Sequence, residues 1–121
     1  MAIKNVMVVD DSPTEVHLLR EMLTKNGFTV SVASSGEEAI TRAAAEKPDL
    51  ILMDVVMPGM SGFEATRAIT KSPASASIPV IICTTKGQET DRVWGLRQGA
   101  VEYLVKPVVA EELLAKILAL G

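Results

Sequence analysis

A chain of 121 residues with 48% hydrophobic content can bury one core and hardly two, so a single domain over 1–121 with no output domain is expected. Twelve Lys and Arg against fifteen Asp and Glu give a net charge of −3, with no basic block and only scattered aromatics (Phe28, Phe63, Trp94, Tyr103). This excludes a phosphate-tracking nucleic-acid surface and a base-stacking platform. No signal-peptide order opens the chain, no apolar stretch approaches membrane-spanning length, and the lone Cys83 permits no internal disulfide. A cytoplasmic protein without membrane insertion is expected.

The first element is an apolar run over 4–9 (Val6, Met7, Val8, Val9) closed by Asp10 and Asp11. Ser12 can cap a helix that starts at Pro13, with Glu15 completing an S-x-x-E capping box. Val16, Leu19, Met22 and Leu23 form its apolar stripe and Gly27 stops it. A strand over 29–33 follows. Ser35 and Glu38 then repeat the capping pattern ahead of Ala39, Ile40, Ala43 and Ala44, and Pro48 ends that helix. The third strand, 50–54, runs Leu50, Ile51, Leu52, Met53 into Asp54. A helix from near Gly62 carries Phe63, Thr66 and Ile69 inward and frays into a Ser/Ala-rich surface loop over 72–77. The fourth strand, 79–84, buries Cys83 and ends at Thr84. A fourth helix runs from about Gln88 to Gln98, with Trp94 either a partner contact on that helix or, the preferred reading, packed against the core or its edge. A strand over 102–105 and a helix from about Ala110 to Leu120 close the pattern.

Five β/α units are too few for a closed eight-fold barrel and suit an open, doubly wound parallel sheet. Ligands of such sheets bind at the carboxyl ends of the strands, where Asp10, Asp11, Asp54, Thr84 and Lys106 would all arrive. Like charges about 4 Å apart repel by roughly 4 kcal/mol at an effective dielectric near 20, so the three carboxylates imply a bound cation. An all-oxygen shell suits Mg²⁺, whereas zinc lacks its ligands, because the only histidine, His17, falls in the first helix. A carboxylate beside a cation, an ammonium and a hydroxyl can attack a phosphoryl group. Asp54 stands alone on the central strand and is the expected acceptor, with Lys106 and Thr84 binding the phosphoryl oxygens; Asp10 and Asp11 are paired and better suited to hold metal.

Val8-Val9-Asp10-Asp11-Ser12, Met53-Asp54-Val55-Val56-Met57-Pro58-Gly59-Met60-Ser61-Gly62, Thr84 and Tyr103-Leu104-Val105-Lys106-Pro107 carry a resemblance that covers essentially the whole chain. It resembles the receiver domain of two-component response regulators. The resemblance implies a CheY-like, flavodoxin-like fold with strand order 2-1-3-4-5 and five helices. It implies that Asp54 takes a phosphoryl group from a sensor histidine kinase, CheA-like or hybrid. It also implies that Mg²⁺ is held by Asp11, Asp54 and the main-chain carbonyl of Val56, with Asp10 acting through water. The Lys106–Pro107 peptide would be cis. Thr84 and Tyr103 would form a switch, Tyr103 turning inward as Thr84 moves toward the phosphoryl group; read from the residues alone, Tyr103 is a half-exposed strand tyrosine. The partner would be a downstream protein docking on the face of the fourth helix, fifth strand and fifth helix of a monomer or weak dimer. No enzyme activity would exist beyond the protein's own Mg²⁺-dependent phosphorylation and dephosphorylation.

Asp11-Ser12-Pro13-Thr14-Glu15 and the segment from Thr84 to Gly95 are similar to the single-domain regulators of type IV pilus chemosensory systems, the PilH type, which implies control of twitching motility. A flagellar chemotaxis regulator, a phosphate sink and a phosphate-independent adaptor share the same pattern. A small-molecule phosphatase would want a second carboxylate two residues after Asp54, where Val56 stands, and a nucleotide binder would want a Gly-rich loop after the first strand.

Overall fold

Apolar residues in unbroken runs of four or five form strands that are buried on both faces, and such strands pair in parallel beneath helices. The computed structural model describes residues 2–121. In chain order it contains β1 (Asn5–Val9), α1 (Pro13–Lys25), β2 (Thr29–Ala33), α2 (Gly36–Glu46), β3 (Leu50–Met53), α3 (Gly62–Lys71), β4 (Val80–Thr84), α4 (Glu89–Arg97), β5 (Glu102–Val105) and α5 (Ala110–Leu120). The five strands form one parallel sheet in the order β2-β1-β3-β4-β5, the doubly wound, flavodoxin-like arrangement. Alternate residues feed two cores. Met7, Val9, Ile51, Met53, Ile82 and Tyr103 pack with Ala39, Ala43, Ala65 and Ile69 of α2 and α3. Val8, Leu52, Ile81, Cys83 and Leu104 pack with Leu19, Leu23, Leu113 and Ile117 of α1 and α5.

The helix starts depart in part from the expected capping boxes. Ser12 and Ser35 do accept from the backbone N–H of Glu15 and Glu38, at 3.4 and 3.1 Å. Neither glutamate returns the bond to its cap. Glu38 reaches one residue further, to the N–H and hydroxyl of Ser34, and Glu15 turns toward Lys106. A complete reciprocal box with serine and glutamate forms at α3, where Ser61 and Glu64 exchange bonds at 3.2 and 3.3 Å.

Trp94 does not pack into the core; it is 51% exposed. The residue of α4 that is buried against the sheet is its neighbour Gly95, with Leu96 packing partly buried beside it. A β-carbon there would lie 2.9 Å from Ile82 Cδ1 and from Tyr103 Cδ2, so the missing methyl is what lets the inward ring of Tyr103 lie against the helix. Alanine would gain about 1 kcal/mol in helix propensity, yet it requires the ring to move. We expect Gly95→Ala to expose Tyr103, lowering the pKa of the chain's only tyrosine from about 12, where burial holds it, toward about 10. The phenolate absorbance reports this directly, and an unchanged titration would show that the helix gives way instead of the ring.

Candidate functional site

The sheet ladder runs one residue past several strands, and those residues carry the polar groups. Asp10 N donates to Ala33 O at 3.1 Å, Asp54 N to Val9 O at 2.9 Å and Lys106 N to Thr84 O at 2.8 Å. Backbone pairing thus fixes where Asp10, Asp54 and Lys106 leave the sheet. The carboxylates of Asp10, Asp11 and Asp54 each offer an oxygen within 4.8 Å of the others. Lys106 Nζ lies 2.6 Å from Asp10 Oδ2, 3.6 Å from Asp54 Oδ1 and 3.6 Å from Glu15 Oε2. The Lys106–Pro107 peptide is cis. Thr84 is fully buried at the end of β4, and its Oγ1 accepts from Lys86 N at 3.4 Å. Tyr103 is buried, and its hydroxyl donates to Lys86 O at 2.7 Å, tying β5 to the loop ahead of α4.

Asp10, Asp11, Asp54 and Lys106 therefore share one cluster, with Thr84 at the adjoining strand end. Val56 sits in the loop after β3 with its side chain in solvent. His17 is on the outer surface of α1, 3.6 Å from Glu21, and Cys83 is sealed under the sheet, where burial pushes its thiol up to about 12. Two residues of the site carry no polar signal of the kind that marks the aspartates. Glu15 reads as a cap, and Gly62 shows its importance only when the strand beside it is known: its Cα packs against the backbone of Asp54 and Val55.

Three carboxylates, those of Asp10, Glu15 and Asp54, lie within 3.6 Å of the ammonium of Lys106, and that of Asp11 adjoins Asp10 and Asp54. Burial and the charge of Asp10 together raise the pKa of Asp54, against the pull of Lys106. Burial also works against the Lys106 ammonium, but its bond to Asp10 and the charges of Asp54, Asp10 and Glu15 outweigh it and hold that pKa above its ordinary value. The donor set is all oxygen and carries excess negative charge, so it fits a hard divalent cation such as Mg²⁺ and not a zinc ion. Both oxygens of Asp10 already have donors, Lys106 and the N–H of Ser12, which leaves Asp11 and Asp54 as the freer ligands.

Because the pKa of Asp54 is raised on folding, its ionisation opposes folding as pH climbs from 3.8 through the folded value, and the penalty is constant above that. We expect Asp54→Asn to stabilise the metal-free protein by on the order of 1 kcal/mol at neutral pH, about 4 °C in Tm, with the gain vanishing near pH 4. Thermal unfolding in chelator across that range checks the sign.

Residues 6–118 match the response regulator receiver domain family. The chain is 55% identical over 112 residues to the protein PilH of Pseudomonas aeruginosa, covering 93% of each. Among solved structures it is similar to the chemotaxis response regulator CheY4 of Vibrio cholerae, with a TM-score of 0.90 and 32% identity over 99% of this chain and 100% of that one. It is also similar to the receiver domain of a sensor histidine kinase from Pseudomonas aeruginosa (TM-score 0.89, 30% identity, 98% and 97% covered), a structure with a magnesium ion coordinated in the active-site cleft. With a family match across nearly its whole length and the acidic cluster at the carboxyl edge of its sheet, this chain belongs to the response regulator receiver domains.

Proposed function

We propose that Asp54 is the phosphoacceptor of a regulator charged by a histidine kinase and read by a downstream protein in a type IV pilus chemosensory pathway. The supporting observation is the placement of Asp54: the last rung of the central strand, beside Asp10 and 3.6 Å from the Lys106 ammonium. A carboxylate oxygen of Asp54 attacks the phosphorus of a phosphohistidine. The phosphorus–nitrogen bond breaks, the imidazole leaves with the electron pair and takes up a proton, and an acyl phosphate remains. Lys106 bonds a phosphoryl oxygen and Thr84 donates its hydroxyl to another. Asp11 and Asp54, with the carbonyl of Val56 and support from Asp10, are the residues that would hold Mg²⁺, which supplies the positive charge that draws in phosphoryl oxygens.

The reaction serves the protein's own modification and not the turnover of a substrate. Drawing Thr84 toward a phosphoryl group pulls on the loop that holds the Tyr103 hydroxyl, and with it the face formed by α4, β5 and α5. Trp94 and Val105 stand exposed on that face, which suits a protein partner. The similarity to PilH over 93% of both chains supports the pilus assignment. Incubation with Mg²⁺ and acetyl phosphate, followed by intact mass, should add one phosphoryl group to the wild type and none to Asp54→Asn. Modification that persists in the variant would sink the assignment of Asp54.

A further inference from the structure

Glu15 is a partner of Lys106 for which neither metal binding nor phosphoryl transfer has an evident use. It occupies the third position of α1, where the glutamate of a capping box folds back onto the N-cap N–H. Glu64 does so in α3, 3.3 Å from the N–H of Ser61. In α1 the equivalent N–H, that of Ser12, is already donated to Asp10 Oδ1 at 3.0 Å. Glu15 instead carries its carboxylate to 3.6 Å from Lys106 Nζ, and its side chain is 37% exposed against 2% for Asp10 and 9% for Asp54. Of the three carboxylates on the ammonium, it is the one with room to leave.

The geometry points to Glu15 as a positioning residue that occupies Lys106 in the unphosphorylated protein and is displaced from it by the phosphoryl group. This rests on Asp54 being the acceptor. A lysine ammonium has three N–H donors, and Asp10, Glu15 and Asp54 each present an oxygen to it. A phosphoryl group brings up to about two negative charges and strong acceptor oxygens, and it needs one of those donors. Asp10 is held by Ser12 and by burial, and Asp54 carries the group, so Glu15 is the partner that yields. Before it yields, its charge repels an anionic donor entering the site. Glu15 therefore slows charging, most of all for donors of higher charge.

The test compares phosphorylation rates of wild type and Glu15→Gln in Mg²⁺, using acetyl phosphate, a dianion at neutral pH, and phosphoramidate, which is singly charged. Glutamine keeps the length and helix propensity of the side chain and removes only its charge. With acetyl phosphate at low salt, Glu15→Gln should charge about three- to tenfold faster, an effect of one charge acting across the site. The gain should be smaller with phosphoramidate and should shrink at high salt. A merely structural role for Glu15 would leave the ratio between donors unchanged, so equal gains with both donors, or none with either, would overturn the proposal alone. A wild type that accepts no phosphoryl group from either donor would overturn the assignment of Asp54 and the proposal with it.

Discussion

Gly62→Ala is expected to cost about 3 kcal/mol of stability, a fall of about 12 °C in Tm, and to slow phosphorylation of Asp54 about a hundredfold. A β-carbon at position 62 would stand 1.9 Å from the carbonyl oxygen of Asp54, 2.7 Å from its carbonyl carbon and 2.8 Å from Val55 Cα. All three are backbone atoms, so no side-chain rotation relieves the clash. Either α3 retreats from the sheet, opening the contacts of Ala65 and Ile69, or the backbone that carries Asp54 moves. A shift of about 1 Å at a reacting group is enough for the rate loss. The N–H of Gly62 donates to Val55 O at 3.0 Å, so the same movement breaks the bond that ties the helix start to the strand end. Gly27→Ala makes the informative comparison. Gly27 has φ +91 with nothing within 4 Å of a built β-carbon, so its substitution costs only the left-handed backbone conformation, about 1 kcal/mol, and should leave the phosphorylation rate alone. Similar losses for the two variants, or unchanged charging in Gly62→Ala, would show that the close approach is relieved without moving Asp54.

The contrast between these glycines marks how far the sequence could be read. All five strands and five helices follow from apolar runs and their punctuation, and the observed ends lie within about a residue or two of the expected ones. That success has a physical source: a parallel sheet covered on both faces needs unbroken apolar strands, and few other structures do. Asp10, Asp11, Asp54, Thr84 and Lys106 were legible for a related reason, because a polar residue that ends such a strand must emerge at the ligand-binding edge. Gly62 was not legible in this way, since its constraint is the distance between two segments rather than anything in its own neighbours. Trp94 misleads for the opposite reason: an aromatic side chain suggests burial, yet α4 is seated through Gly95, which has no side chain to announce it. Glu15 has a sequence signal with two readings. The S-x-x-E pattern predicts a capping box, and only the competition of Asp10 for the Ser12 N–H decides that the carboxylate goes to Lys106.

Removal of the Lys106 ammonium tests the electrostatic core of the site. Methionine retains much of the stem that fills the space, so Lys106→Met deletes the charge with little loss of packing. Lys106 is 7% exposed at its side chain and lies 2.6 Å from Asp10 Oδ2. Breaking one side of such a buried pair leaves its partner uncompensated, which costs about 3 kcal/mol at neutral pH without divalent metal. Phosphorylation should fall by about two to three orders of magnitude, the usual consequence of losing a preorganised group that stabilises developing charge. The pH dependence has a definite sign. Without Lys106, burial and the charge of Asp10 raise the folded-state pKa of Asp54 further, so its ionisation favours folding less as pH rises; the deficit of the variant should therefore shrink on acidification. A double-mutant cycle with Asp10→Asn separates this cause from lost packing. Asp10→Asn should destabilise the wild type, where it removes the partner of Lys106, and should stabilise Lys106→Met, where it removes an unpaired buried charge. Additive effects in denaturant unfolding would instead show that water or movement of the Asp10 side chain already compensates the carboxylate, leaving Lys106 needed for the phosphoryl group alone.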